Sequence, residues 1–263
     1  MYSDYEFLKV EPGADRVLRI TMNRPEKLNA SGEIGHAEQG RIWREFDADP
    51  EMNVALITGA GRAFCAGGDI KEGNGPLPTD TRDGRALVRN MIACRKPIVS
   101  AINGVAVGGG LAIALLADIS IASERAVLID GHVRLGLAAG DHAALVWPLA
   151  IGMARSKYHL LLGNRITGRE AAEIGLVGTC VPHEDLMPTA NEIATRLAEG
   201  PQFAIQGTKA ALNDWYLHNM GIFEHSLYVE ALSATLPDAE AGIRAVREGT
   251  EPEFPGAVNS DRY

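Results

Sequence analysis

Two stretches decide how this chain folds: Ala63-Phe64-Cys65-Ala66-Gly67-Gly68-Asp69-Ile70 and Asn103-Gly104-Val105-Ala106-Val107-Gly108-Gly109-Gly110. Each follows an apolar run with strand character, VALIT at residues 54–58 and PIVSAI at 97–102, and the second opens a helix over residues 110–117. Backbone without side chains at a strand-to-helix junction lets a ligand oxygen approach peptide N–H groups closely, and a helix N-terminus adds partial positive charge. Two such junctions facing each other make a two-donor cradle for a developing oxyanion. Taken singly, either tract also reads as a tight turn or a close-packing site. Gly59-Ala60-Gly61-Arg62-Ala63-Phe64 begins like a dinucleotide fingerprint, but Phe64 stands where the third glycine belongs, and no phosphate-loop Gly-Lys-Ser/Thr occurs.

Working outward, residues 16–22 (RVLRITM) read as a strand and Asn23-Arg24-Pro25 as a turn. Residues 31–47 carry Ile34, Ile42, Trp43 and Phe46 at helical spacing, with Gly32, Gly35 and Gly40 counting against the helix. Residues 59–68 read as a loop and 103–110 as a turn. A helix over 82–94 ends at Lys96-Pro97, and 118–122 and 127–129 are further strands. From Ala143 onward the pattern is mostly helical: Thr167-Gly168-Arg169-Glu170 is a capping box, and 184–199 and 202–217 are long amphipathic segments. No internal repeat or low-complexity linker is visible, so one α/β core with a helical C-terminal part is the economical reading.

At 263 residues, 46 % hydrophobic and 22 % charged, the chain has ordinary globular composition and length enough for a continuous core. A net charge of −9 with no Lys/Arg stripe argues against a nucleic-acid partner or an anionic membrane surface. Cys65, Cys94 and Cys180 form neither a disulfide framework nor a zinc site. The N-terminus lacks signal-peptide character, and the most apolar stretch, residues 105–117, is interrupted by glycines and too short to span a bilayer. A soluble protein of a reducing cytoplasm is expected.

In this order the motifs resemble one family. Ile20-Thr-Met-Asn-Arg-Pro-Glu-Lys-Leu-Asn-Ala30, the run from Ala55 to Ile70, and Lys96 to Gly110 are similar to the crotonase (enoyl-CoA hydratase/isomerase) family. The likeness continues through Ala117-Asp118 and residues 166–177 to 201–213, so it covers nearly the whole chain. It implies an α/β fold, a crotonase-like spiral of ββα repeats over residues 1–200, with a helical C-terminal part over 201–263 that drives trimer or hexamer assembly. It implies a CoA thioester, CoA being part of the substrate and no separate cofactor or metal being needed. The thioester carbonyl would sit between the backbone N–H groups of Ala66 and Gly109. Lys27, Ala30, Ala66, Gly67, Gly68, Asp69 and Ile70 would line the adenine and pantetheine path, Lys27 reading otherwise as a solvated turn lysine.

The chain departs from the family where protons move. The resemblance puts one glutamate in the helix after the triple glycine and a second twenty residues on; here Ala112 and His132 stand there. Alanine moves no proton, so the two-carboxylate mechanism does not carry over. His132, with Asp141 nine positions later and Val146-Trp147-Pro148 beyond, resembles the β-diketone carbon–carbon hydrolase branch, as does His36 in the first helix. A neutral imidazole of ordinary pKa, about 6.5, is a usable base, with Asp141 holding its tautomer. On the bland reading His132 is a loop histidine and Asp141 caps the helix starting near His142. His142 and Asp130 are neighbouring rivals for the same roles, and Cys65 reads as a small buried hydrophobe.

Three functions follow. The first is an enoyl-CoA hydratase/isomerase-type enzyme stabilising a thioester enolate. The second is a β-dicarbonyl hydrolase in which His132 activates water and Asp141 orients it. The third is a non-catalytic acyl-CoA-binding oligomer. Residues 71–85, polar and rich in Gly and Pro, read as a mobile wall of the acyl pocket.

Overall fold

Strands that are mostly apolar and buried along their length belong inside parallel sheets covered on both faces, and this governs the architecture. The structure, a computed structural model, describes residues 2–71 and 81–255. In chain order its elements are β1 (Leu8–Pro12), β2 (Val17–Met22), α1 (Glu33–Ala48), β3 (Val54–Gly59), β4 (Ala63–Cys65), α2 (Arg82–Ala93), β5 (Ile98–Ile102), β6 (Val105–Val107), α3 (Gly109–Leu116), β7 (Ile119–Ser123), β8 (Val127–Ile129), α4 (Ala143–Ile151), α5 (Met153–Leu162), β9 (Arg165–Thr167), α6 (Gly168–Glu173), β10 (Thr179–Val181), α7 (Leu186–Glu199), α8 (Gln202–His218), α9 (Met220–Ser233) and α10 (Pro237–Glu248).

One sheet runs β1-β2-β3-β5-β7-β10, parallel except for β1; the other runs β4-β6-β8-β9, parallel except for β9. Each turn of chain therefore gives a strand to the first sheet, a short strand to the second, and then a helix: β3-β4-α2, β5-β6-α3, β7-β8-α4. This is the expected spiral of ββα repeats, and its repetition is geometric, not a matter of matching residues. The strands β4 and β6 lie inside segments that read as a loop and a turn. Three residues are too few to show a period; they become strands because they pair with each other, Cys65 opposite Ala106. The strands β1, β9 and β10 also escaped the pattern, for the same want of length or alternation. Of the expected acyl-pocket wall, residues 72–80 lie outside the described residues, and by Arg82 the chain is already helical.

The main core packs Trp43 and Phe46 of α1 with Ile20, Ile57, Phe64, Met91 and Ile113. On the other face of the first sheet, α7 lays Ala190, Ala194 and Ala198, one turn apart, against Val54, Leu56, Val99 and Ile121. The capping box opens α6 as expected: Glu170 N–H donates to Thr167 Oγ1 at 3.2 Å and Thr167 N–H to Glu170 Oε2 at 2.8 Å. No helix among the described residues is long and apolar enough to cross a membrane.

Candidate active site

The two glycine tracts leave the C-terminal ends of neighbouring parallel strands, β4 and β6, so they emerge about one strand spacing apart. Two buried asparagines pin this corner. Asn29 Nδ2 donates to the carbonyls of Ala60, Ala63 and Phe64, and Asn103 Nδ2 to those of Gly59, Gly61 and Ala63. Glycine is obligatory at two contacts. A Cβ on Gly104 would lie 2.1 Å from the Arg62 carbonyl oxygen, and one on Gly110 would lie 2.5 Å from the Cys65 Cβ.

The expected oxyanion donors divide here. Gly109 is the first residue of α3, its N–H has no intrahelical partner, and the place of its Cβ has nothing within 4 Å. Ala66 is different: its N–H donates to the Leu28 carbonyl at 3.0 Å, so this donor is already spent. The neighbouring donor is Gly68. Ser31 bridges its flanks, with Ser31 N–H on the Gly67 carbonyl at 2.8 Å and Asp69 N–H on the Ser31 carbonyl at 2.9 Å. The middle residue of such a parallel bridge turns its own N–H away from the partner strand, and Gly68 N–H makes no hydrogen bond to a described residue. Gly67, at φ +84°, rests on the Val107 carbonyl, which draws the two tracts together.

His132 follows β8 on a short 3-10 turn and is buried. Its Nδ1 lies 2.9 Å from Asp130 Oδ1, and its Nε2 lies 3.5 Å from Glu230 Oε1 and 3.8 Å from Asp141 Oδ2. Burial alone would lower the pKa of this ring, but the three carboxylates overcome it and hold His132 well above its ordinary value of 6.5. That direction favours the imidazolium over the neutral base expected. Nor does Asp141 orient it. Asp130 holds Nδ1, while Asp141 makes its short contact, 2.6 Å, with His142 Nδ1.

Trp147 Nε1–H donates to His142 Nε2 at 3.3 Å, which assigns the His142 proton to Nδ1 and directs it at Asp141. Although burial disfavours its charge, the His142 and His132 rings together hold Asp141 below the usual carboxylate range. Asp141 is not a helix cap either: His142 is the N-cap of α4, with no side-chain cap bond. Atoms of Asp130, Asp141 and His142 lie within 4.8 Å of one another, a spacing a cation could share, but both His142 nitrogens are already committed.

Glu230, from α9, has no signal in the sequence that ties it to this place. Across 86 and 95 positions of chain, Ser226 Oγ donates to the Gly140 carbonyl at 3.0 Å and Ala138 N–H to Ser233 Oγ at 3.0 Å, which seats α9 on the loop carrying Asp141. A Cβ on Gly140 would strike Glu230 at 2.4 Å. The cluster borders the cradle directly, because the place of a Gly108 Cβ is 3.9 Å from both Asp141 Oδ2 and His132 Cε1. His36 closes the other side, its Cε1 3.7 Å from the place of a Gly68 Cβ. Burial holds His36 below its ordinary value, opposed in part by Asp83 and Asp141.

Of the remaining expected residues, Lys27 Nζ and Arg24 Nη1 both reach Asp69 Oδ2, at 3.0 and 3.1 Å. Ala30 is buried beneath them. Ile70 turns toward Leu137 and Ile243, its carbonyl accepting from Arg247 of α10 at 3.0 Å. Ala112 is fully buried, with no carboxylate to offer. Cys65 donates to the Asn29 carbonyl at 3.0 Å, and burial raises its thiol, in keeping with a small buried hydrophobe.

A spiral of ββα turns with paired glycine junctions defines a class, and the chain belongs to the enoyl-CoA hydratase/isomerase family, whose model matches residues 13–256. It is 32 % identical over 249 residues to 1,2-epoxyphenylacetyl-CoA isomerase of Escherichia coli (91 % of this chain, 95 % of that one). It is 35 % identical over 254 residues to (E)-benzylidenesuccinyl-CoA hydratase of Thauera aromatica (93 % and 97 %). A crystal structure of an enoyl-CoA hydratase from Mycobacterium avium subsp. paratuberculosis superimposes with a TM-score of 0.88 at 29 % identity, covering 95 % of this chain and 99 % of that one. The fold and the broad activity, a family enzyme on CoA thioesters, are thereby shown.

Proposed function

We propose that the enzyme forms an enolate from an acyl-CoA thioester, with the thioester oxygen between the N–H groups of Gly68 and Gly109. The supporting observation is the pair of uncommitted backbone donors at adjacent strand ends, bordered by the His132 cluster. Asp141, pressed by two imidazoles, is a weak base. Glu230 accepts the α-proton, and the His132 imidazolium returns a proton to the carbon skeleton. Lys27, Ala30 and the 66–70 tract line the CoA path. Exposed Phe203, Leu212 and Trp215 on α8 support self-association as a trimer or hexamer, and three unpaired cysteines suit a reducing cytoplasm.

The test is α-proton exchange of butyryl-CoA in deuterated water, read by mass spectrometry. Enzyme-dependent deuterium uptake is expected; binding without uptake would leave only an acyl-CoA-binding oligomer. A second reading, hydrolytic carbon–carbon cleavage of a β-ketoacyl-CoA, is favoured by one observation. His132 Nε2 stands 3.5 and 3.8 Å from two carboxylates, gaps that suit a bridging water better than direct bonds. In that reaction a carboxylate–water pair attacks the β-carbonyl, the Cα–Cβ bond breaks, and the departing enolate rests in the same cradle. Isotopic oxygen from water appearing in a released acid identifies it.

A further inference from the structure

We infer that the acyl end of this site selects by charge: it takes uncharged acyl groups and rejects those that carry a free carboxylate. The inference rests on the acyl-CoA reading above and adds the substrate class. Three carboxylates, Asp130, Asp141 and Glu230, lie within 4 Å of the single His132 ring, leaving an excess of negative charge beside the cradle. Asp130 is 1 % exposed, and its Oδ2 has no hydrogen-bond partner; Glu230 Oε2 is also buried and unpartnered. Two orphan carboxylate oxygens in one buried cluster want donors. An acyl hydroxyl or a water molecule can supply one, and a second anion cannot.

Several cations around the site are engaged elsewhere. Arg85 and Arg89, on α2, both pair with Glu224. Arg134 points to the Gly163 carbonyl. Lys27 and Arg24 serve Asp69 on the CoA side. Asp83 adds a further negative charge within reach of His36.

Even a single uncompensated negative charge at about 7 Å, at an effective dielectric near 20, would weaken binding of a substrate carboxylate roughly 50-fold. The experiment is calorimetric titration of the full chain with two thioesters of matched length, pentanoyl-CoA and glutaryl-CoA, at low and high salt, for wild type and Glu230→Gln. Glutaryl-CoA should bind at least tenfold more weakly than pentanoyl-CoA. The gap should narrow severalfold with Glu230→Gln and also with salt, because charge exclusion is screened and steric exclusion is not. Equal affinities, or a gap indifferent to both salt and Glu230→Gln, overturn the inference while leaving the acyl-CoA reading intact. Failure of pentanoyl-CoA itself to bind overturns both.

Discussion

Replacing Gly109 by valine separates catalysis from folding, because the structure gives the two effects opposite signs. The place of the Gly109 Cβ is open, with nothing within 4 Å, and the residue sits in the first turn of α3 without the positive φ that only glycine tolerates. Removing a helical glycine gains roughly 0.5–1 kcal/mol when the replacement is alanine, and valine returns part of that through its restricted χ1. Stability should therefore hold within about 0.5 kcal/mol. The isopropyl group, however, fills the space a thioester oxygen needs in order to reach the Gly109 N–H. Losing one oxyanion donor costs about 10²–10³ in turnover, roughly 3–4 kcal/mol of transition-state stabilisation. The assay is butyryl-CoA deuterium exchange beside a urea titration on the same preparation, with Gly109→Ala as the graded intermediate. A folded Gly109→Val enzyme exchanging at the wild-type rate would refute the cradle.

Other consequences are as direct. Gly110→Ala should destabilise by about 1–3 kcal/mol through overpacking against Cys65, one position from a substitution that the fold tolerates; urea midpoints compare them. Hydration of a short 2-enoyl-CoA should be at least 10²-fold slower than in two-glutamate relatives, since Ala112 supplies no carboxylate, and a spectrophotometric hydratase assay reads this. With His132 held as a cation, turnover should persist below pH 6.5 and fall on the alkaline side, and Asp130→Asn should move that fall to lower pH. The same groups set stability. His132, raised on folding, contributes fully below about pH 6.5 and loses its contribution as pH rises through its folded value. Asp141, lowered on folding, contributes above about pH 4 and loses its contribution as pH falls through its folded value. Denaturant midpoints across pH check both arms, and His132→Gln should flatten the alkaline one.

How much of this was legible depended on how local the cause was. Predominantly apolar runs such as β3 and β5, and the Thr167–Glu170 box, are local signals, and they read correctly. The two glycine tracts marked the cradle because a backbone site leaves its trace as missing side chains. Choosing between Ala66 and Gly68 needed the Ser31 and Leu28 partners, thirty or more residues away, which no motif encodes. His132 stood out by position, but Asp130, Asp141 and Glu230 together push its pKa upward, a direction that an isolated imidazole does not reveal.

Glu230 ties the C-terminal helices to the His132 cluster across the boundary expected near residue 200. The loop from His132 to Asp141 has little core of its own, and its geometry is imposed from the C-terminal helices. Gly136 rests on the Asp238 backbone, Gly242 on that of Leu135, Gly140 on Glu230, and Ser226 and Ser233 bond the loop backbone. Each close approach requires glycine on one side, so the fit tolerates little slippage. If α9 and α10 do position the loop, Ser226→Ala together with Ser233→Ala should lower turnover and shift the alkaline limb of the pH profile, because the Glu230–His132 distance changes. A purely structural role would lower stability and leave the pH profile unmoved. Measured together, the profile and the urea midpoint distinguish these outcomes, and an unshifted profile in a folded double mutant would refute the positioning role of this part of the chain.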